Sequence, residues 1–363
     1  MENKPLTVLV IAKLADRTLD GYLKPIVEVE GTSALVLRTT PGLALKGVTY
    51  INPPLALQRS EILSFLWKLF TALRLVVRSE FSCVYAIFAH PHLYLASLIS
   101  FLSRKPLFYT LIAAEFELIG RGSVLAKLTL KLARRANKII VSGDKAIQYL
   151  LKSGIPPQRI VEYRITSLVD LNAFFPMRTE KPLDLIAVSR LAADKHIDVF
   201  VDIVNSIKKS KPDVKAAIVG DGFQMDSLVD YVQVMGLSEN IEFHGWVSDQ
   251  AVLNRLLNSA KILVMNSSHE GGPFNVPEAM AAGLCVVTSD VGEVRKLINH
   301  GHNGFIVERP DDIDTYVSII NQLLEDSKRR KEIQQRATEI KDRDASNSMI
   351  KFWRKAAEHL LKS

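Results

Sequence analysis

Short, largely apolar runs alternate with stretches of helical spacing along almost the entire chain, and this alternation limits the fold more than any other feature. In the first half the runs are LTVLVIA (6–12), SALVLR (33–38), CVYAIFA (83–89), PLFYTLI (106–112) and KIIVSG (138–143). In the second half they are LDLIAVSR (183–190), VKAAIVG (214–220), IEFHG (241–245), KILVMNS (261–267) and LCVVTSD (284–290). Continuous apolar runs mark strands buried on both faces, as in parallel sheets. IDVFVDIVNSIKKS (197–210) and DIDTYVSIINQLLED (312–326) carry the helical period between them. The pattern predicts an α/β chain of Rossmann-like, doubly wound parallel sheets. A length of 363 residues exceeds one ordinary core and suits two domains. FFPMRTEKPLD, with two prolines and mixed charge, predicts a hinge or linker near residues 174–182. The expected division is 1–175 and 176–345, with a helix over 346–363 packing back on the first domain. Two such domains facing one another would leave a cleft at the carboxyl ends of both sheets, where ligands of open parallel folds bind.

Charge separates the two halves. Residues 1–175 hold 22 Lys and Arg against 12 Asp and Glu, whereas the remainder holds 24 against 27. A basic half joined to a mildly acidic one points to an anionic surface as partner of the first half. QRSEILSFLWKLFTALRLVVRSE (58–80) is apolar, carries Lys68, Arg74 and Arg78, and includes Phe65, Trp67 and Phe70. Such a segment suits a membrane interface and is too interrupted by charge to span a bilayer. GSVLAKLTLKLARRANK (122–138) adds Lys127, Lys131, Arg134 and Arg135. The competing reading is two ordinary helices packed on a sheet with basic outer faces. No nucleic-acid partner is expected. Cys83 and Cys285 make neither a metal-ligand spacing nor a disulfide scaffold. The opening apolar run, cut by Lys13 and Asp16, reads as a first buried strand rather than a leader. A cytoplasmic protein, peripheral on the membrane face, is expected.

The chemistry concentrates in NSSHEGGPFNVPEAMAAG (266–283), a strand-to-helix turn with Pro277 near the helix start and Gly283 closing it. Gly271 and Gly272 admit a close backbone approach, and amides at a helix start favour an anion such as a diphosphate. Glu270 and Glu278 bracket the turn and suit hydroxyl groups of a sugar better than phosphate. A plain glycine-rich turn would look similar in isolation. In SRLAADKH, however, Arg190 and Lys195 follow another strand, where a fork and a point charge meet the oxygens of one diphosphate. VGDGFQMDSL adds Gly220, Asp221 and Gly222, and IEFHGWVSDQAV adds His244, Gly245 and Trp246. No acidic pair lies on a strand end, and Asp342 and Asp344 fall in a charged helix, so no metal is required.

SRLAADKH, VGDG, FHGWV and EGGPFNVPEAMAAG, in this order, resemble the second domain of retaining glycosyltransferase family 4 (glycosyl transferases group 1), which has the GT-B fold. Residues 136–176 resemble that family's crossing between domains. The resemblance implies a retaining transfer of sugar from a nucleotide-diphosphate-sugar to a hydroxyl of a glycan or lipid-linked acceptor, in cell-surface polysaccharide or glycolipid assembly. No cofactor or metal is implied beyond the nucleotide-sugar itself. Arg190 and Lys195 would hold the diphosphate, Glu270 the sugar hydroxyls and Glu278 the ribose. Backbone around Gly272, Pro273, Phe274, Asn275 and Val276 would bind phosphate and sugar, and the turns at Gly220–Gly222 and His244–Trp246 would flank the base. On the acceptor side His90 and Glu115 match family positions. The family's glycine pair after the first strand is replaced by AKLADRTLDGYLKP, with only Gly21. Ile112 and Ala113 stand where a His-Gly pair is frequent, and Ser167-Leu168 replace an Asn-Gly pair, with Asp170 retained. These departures leave two further readings open, a non-catalytic sugar-nucleotide-binding partner and a sugar-nucleotide epimerase.

Overall fold

The structure is a computed structural model that describes residues 6–12, 14, 16–112, 124–270, 272–341 and 348–361. The chain forms two units, Met1–Leu168 with Ser346–Ser363, and Val169–Ala345.

The first unit is built on seven strands: β1 (Leu6–Ala12), β2 (Thr32–Leu37), β3 (Val48–Ile51), β4 (Cys83–Ile87), β5 (Leu107–Leu111), β6 (Lys138–Val141) and β7 (Ile160–Glu162). All pair in parallel, in the order β3-β2-β1-β4-β5-β6-β7. Successive side chains point to opposite faces. Leu9, Ile11, Val84, Ala86 and Tyr109 go to one face, covered by α3 (Glu61–Arg78), α4 (Tyr94–Ser103), α5 (Val124–Ala133) and α6 (Asp144–Lys152). α1 (Asp16–Val27) follows β1, and α2 (Leu55–Gln58) is a single turn leading into α3. On the other face Tyr85 and Phe108 meet Trp353 of the C-terminal helix Ser348–Leu360 edge-on, at 5.2 and 5.6 Å between ring centroids. Such aromatic pairs add to the burial of Trp353, which tethers the end of the chain to this unit.

Helix α3 corrects one sequence expectation. Ser60 caps it, its hydroxyl accepting from Leu63 N at 3.3 Å. Its inward side is Ser64, Lys68, Ala72 and Leu75. Lys68 is therefore no part of a basic outer face: it is buried and donates from Nζ to Thr39 Oγ1 at 3.1 Å. Arg74 and Arg78 are exposed as expected.

The second unit has strands β8 (Leu183–Val188), β9 (Ala216–Val219), β10 (Ile241–Phe243), β11 (Ala260–Met265), β12 (Cys285–Ser289) and β13 (Phe305–Val307) in the order β10-β9-β8-β11-β12-β13, all parallel. Its helices are α7 (Ile197–Lys208), α8 (Met225–Val234), α9 (Gln250–Asn258), α10 (Asn275–Ala281), α11 (Val294–Leu297), α12 (Ile313–Glu325) and α13 (Ser327–Thr338). α7 buries seven residues between Ile197 and Ile207 against the central strands, which explains the density of Val and Ile in its sequence. The stretch expected as a hinge is instead fastened to this unit. Phe175 N and Met177 N donate to the side-chain oxygens of Asn254 and Asn258 at 3.2 and 2.7 Å, and Lys181 Nζ donates to Ala260 O at 3.0 Å. Buried asparagines paired with backbone leave this strand-like stretch no freedom to swing.

Candidate functional site

In the second unit the strand order reverses between β8 and β11, which lie side by side while the chain winds away from them in opposite directions. Ligands of doubly wound sheets bind outside the carboxyl ends of strands at such a switch point. The two loops leaving it are 189–196 after β8 and 266–274 after β11, and these are the loops that carry Arg190, Lys195 and Glu270.

The first loop is shaped by its neighbour. Ser189 N donates to Val219 O at 3.0 Å and Leu191 N to Asp221 O at 2.9 Å, so the loop after β8 extends along the loop after β9. Ala193–Lys195 then form one 3-10 turn, and His196, with φ of 48°, turns the chain into α7. This places Lys195 beneath the second loop with a side chain only 9% exposed. Its Nζ lies 2.7 Å from Glu270 Oε1, 3.1 Å from Asp194 Oδ2 and 3.3 Å from His269 O. An ammonium has three protons, so these three acceptors satisfy it. Glu270 Oε1 also accepts from Ser267 Oγ at 2.9 Å. Ser268 N donates to Asp194 O at 2.9 Å, and Ser289 Oγ to Ser267 O at 2.6 Å, which locks the second loop to the first and to β12.

Arg190 stands apart from this buried pair. Its side chain is 66% exposed, and Nη2 is 3.9 Å from Asp194 Oδ2. Burial pushes the Asp194 carboxyl up, but the Lys195 ammonium, the hydrogen bond from it and the Arg190 guanidinium together hold it below its ordinary value. The arrangement is two cations and two carboxylates around one crevice, with the charges partly neutralising one another before any ligand arrives.

The rest of the second loop leads into α10. Asn275 Nδ2 donates to Val188 O at 2.7 Å, tying the helix start to the end of β8. Its Oδ1 is buried without a hydrogen-bond partner, an acceptor that a hydroxyl or amide would satisfy. Glu278 is buried in the first turn of α10. Val276 is buried in full and Pro273 is buried, while Gly272 and Phe274 are half-buried. Gly271 lies outside the described residues.

Gly220 and Gly222 are required by the protein rather than by a ligand. Gly220 has φ of 144°, and a Cβ on it would lie 1.7 Å from Ser189 O; a Cβ on Gly222 would lie 2.3 Å from Leu191 O. Gly220 N donates to Gly245 O at 2.8 Å, which joins the loop after β10 to the same assembly. Asp221 is exposed and accepts from Gly222 N at 2.7 Å. His244 Nε2 pairs with Glu242 Oε1 at 2.9 Å, and Trp246 is exposed. The turns after β9 and β10 thus border the crevice as linked loops.

In the first unit, His90 is exposed beyond the end of β4, its ring 5.2 Å from that of Tyr94. Gly21 has a different place from the one expected. It lies inside α1, where a Cβ would meet Leu168 O at 2.3 Å, so it allows helix packing and does not line a ligand loop. Glu115 and Ala113 lie outside the described residues. Sequence reasoning missed Asp194 and Ser267. A carboxylate beside Lys195 and a serine three residues before Glu270 were the available signals. Among the described residues no group of three or more His, Cys, Asp or Glu side chains is placed to hold a metal ion, and no helix is long and apolar enough to cross a membrane. Asp342 and Asp344 lie outside the described residues.

Known proteins resemble this chain in part of its sequence and in its fold. The chain is 26% identical over 245 residues to spore coat protein SA of Bacillus subtilis, covering 61% of this chain and 63% of that one. It is 27% identical over 188 residues to a lipopolysaccharide 1,6-galactosyltransferase of Salmonella typhimurium, covering 51% of each. It spans 18% to 63% of the length of the first curated relatives it matches. Among solved structures, Anabaena HepE in complex with UDP and glucose superposes with a TM-score of 0.75 at 19% identity, covering 98% of this chain and 99% of that one. The chain therefore has the GT-B arrangement of two Rossmann-like parallel-sheet domains seen in glycosyltransferase structures, and residues 172–340 match the family of glycosyl transferases group 1.

Proposed function

We propose that this protein is a glycosyltransferase that moves a sugar from a nucleotide-diphosphate-sugar to a hydroxyl of a glycan or glycolipid, with retention at the anomeric carbon. The observation that carries the reading is the buried contact of Lys195 with Glu270 at the switch point of the second sheet, with Arg190 beside it. A nucleoside diphosphate needs cations, and a hexose needs an anionic acceptor for its hydroxyl protons; this crevice offers both within one contact distance. Names borne by relatives, a galactosyltransferase and a HepE structure holding UDP and glucose, support uridine nucleotides as the first donors to test.

In the proposed reaction the bond between the anomeric carbon and the diphosphate oxygen breaks, and the acceptor oxygen bonds to that carbon from the same face. The acceptor's proton passes to the departing diphosphate. Lys195 and Arg190 stabilise the charge that develops on the leaving group, in place of a metal ion. Glu270 accepts from the sugar hydroxyls, Glu278 from the ribose, and backbone from Gly272 to Val276 holds phosphate and sugar. The loops at Gly220–Gly222 and His244–Trp246 border the base. His90 would face the acceptor. The two cysteines, both free and buried, suit the cytoplasm, where the donor would be made.

Incubation with UDP-sugars, with and without glycan or glycolipid acceptors, tests the reading by UDP release and by the anomeric configuration of the product. Acceptor-dependent release with retained configuration is expected. Donor binding without turnover would leave a binding partner, and an isomerised donor would make the protein an epimerase.

A further inference from the structure

One face of the first unit turns apolar side chains outward on three adjacent helices. α4 touches α3 on one side and α5 on the other. All three bury small residues in one cluster against the sheet, Ala72, Ala96 and Ala126 among them, and the Tyr94 hydroxyl is 2.9 Å from Thr129 Oγ1. α3 is inverted relative to an ordinary surface helix. Its sheet side includes Ser64 and Lys68, whereas Ile62, Leu66, Phe70, Leu73 and Val77 are exposed, Val77 to 86%. Their spacing of three and four residues sets them in one stripe on the side away from the core. Leu98, Phe101 and Leu102 continue the apolar surface on α4, and Val124, Leu125 and Leu128 on α5. Most of the exposed large apolar side chains among the described residues fall on these helices, so they form a patch and not a scatter.

Cations accompany the patch. Arg74 and Arg78 end α3, Arg104 follows α4, and Lys127 and Lys131 lie on α5. Glu61 is the one acidic residue on the three helices, and Glu80, just beyond α3, pairs with Arg78 at 3.4 Å. Because the strands are parallel, the helices that cross between them run in one direction, which gathers Arg78, Arg104 and Lys131 toward one end of the face. Complementing helix dipoles accounts for cations at helix ends but not for the apolar stripe.

We infer that this face docks on an anionic bilayer, with the α3 stripe lying in the interface, α4 and α5 beside it, and the basic residues against lipid phosphates. Apolar area and basic charge are the two terms that hold an interfacial helix to anionic lipid. A second copy of the chain would instead bring the same cations against their own kind. The face belongs wholly to the first unit and is separable from the nucleotide crevice of the second.

Flotation with vesicles of neutral phosphatidylcholine, and of phosphatidylcholine mixed with anionic phosphatidylglycerol, tests this. The full chain is compared with Leu66→Gln/Phe70→Gln/Leu73→Gln and with Arg74→Glu/Arg78→Glu; circular dichroism and thermal unfolding check that each folds. The wild type is expected to float with anionic vesicles at low salt. The apolar variant should lose roughly tenfold or more in partitioning. The charge variant should lose roughly fivefold per cation, a loss that shrinks as salt screens the wild type. A folded apolar variant that floats like wild type overturns the proposal, as does a wild type that stays with the soluble fraction. If the apolar variant converts a dimer to a monomer and neither form floats, the occupant is a second copy and the bilayer is excluded.

Discussion

Lys195 is a buried charge whose contacts within the fold account for all of its protons. Its three protons point at Glu270, Asp194 and His269 O, so a diphosphate that takes one of them must displace an acceptor. Asp194 is the partner to lose, because it is more exposed than Glu270 and lies farther from Nζ, at 3.1 Å against 2.7 Å. Substitution at adjacent positions should therefore act in opposite directions. Lys195→Ala should weaken UDP binding by about tenfold to a hundredfold, as expected for one charge-assisted contact. Asp194→Asn should strengthen it by roughly fivefold, the worth of removing a like charge in partly screened surroundings. Calorimetry decides; a loss of affinity in Asp194→Asn would show that the carboxylate positions Lys195 instead of competing for it. Glu270→Gln should keep donor affinity within a few-fold and lower kcat by roughly a hundredfold or more, since its contact is worth most as the sugar acquires charge. Near-wild-type turnover would move the sugar site elsewhere. Arg190, Lys195 and Glu270 could be picked out in the sequence because cations and carboxylates followed strands and glycines. Asp194 was overlooked although it adjoins Lys195 in sequence, since a single Asp in a loop looks like a first-turn residue, and only the fold shows its carboxylate turned onto the Lys195 ammonium.

At the scale of elements, burial decided what could be read. The ten runs identified in the sequence all became parallel strands. The three strands that were not identified, β3, β7 and β13, are three or four residues long and lie at sheet edges, too short to stand out as apolar runs. α3 was recognised as amphipathic, but its orientation was not, because nothing in the segment says that Lys68 reaches Thr39 while Phe70 faces out. The glycine turns were found and their reason was not. Gly220 and Gly222 let the loop after β9 touch the loop after β8, and this contact sets the backbone from which Lys195 is presented. Gly220→Ala combines a φ of 144° with a Cβ driven into Ser189 O, and should cost roughly 3 kcal/mol or more. Gly245 has φ of 64° and open space around its missing Cβ, so Gly245→Ala should cost only roughly 1–2 kcal/mol. Urea unfolding of the two variants measures the difference. Equal costs would mean that the β8 and β9 loops are not packed as described.

At the scale of the whole molecule, each unit has its own buried core, and the chain visits the first unit twice. The last helix returns to it through Trp353, which is buried against Tyr85 and Phe108. The proposed nucleotide site lies in loops of the second unit, so the two units should answer to different perturbations. Trp353→Ala removes a large buried side chain and should destabilise the first unit by about 3–5 kcal/mol. On the proposed reading UDP binds the folded second unit, and at a hundred times its dissociation constant it should stabilise that unit by about 2.7 kcal/mol. Calorimetric unfolding should then show two transitions. Trp353→Ala would lower one of them, and UDP would raise the other in wild type and variant alike. A single transition moved by both would mean that the two cores unfold as one cooperative block. A transition lowered by Trp353→Ala with loss of UDP binding would mean that UDP binding depends on the folded first unit.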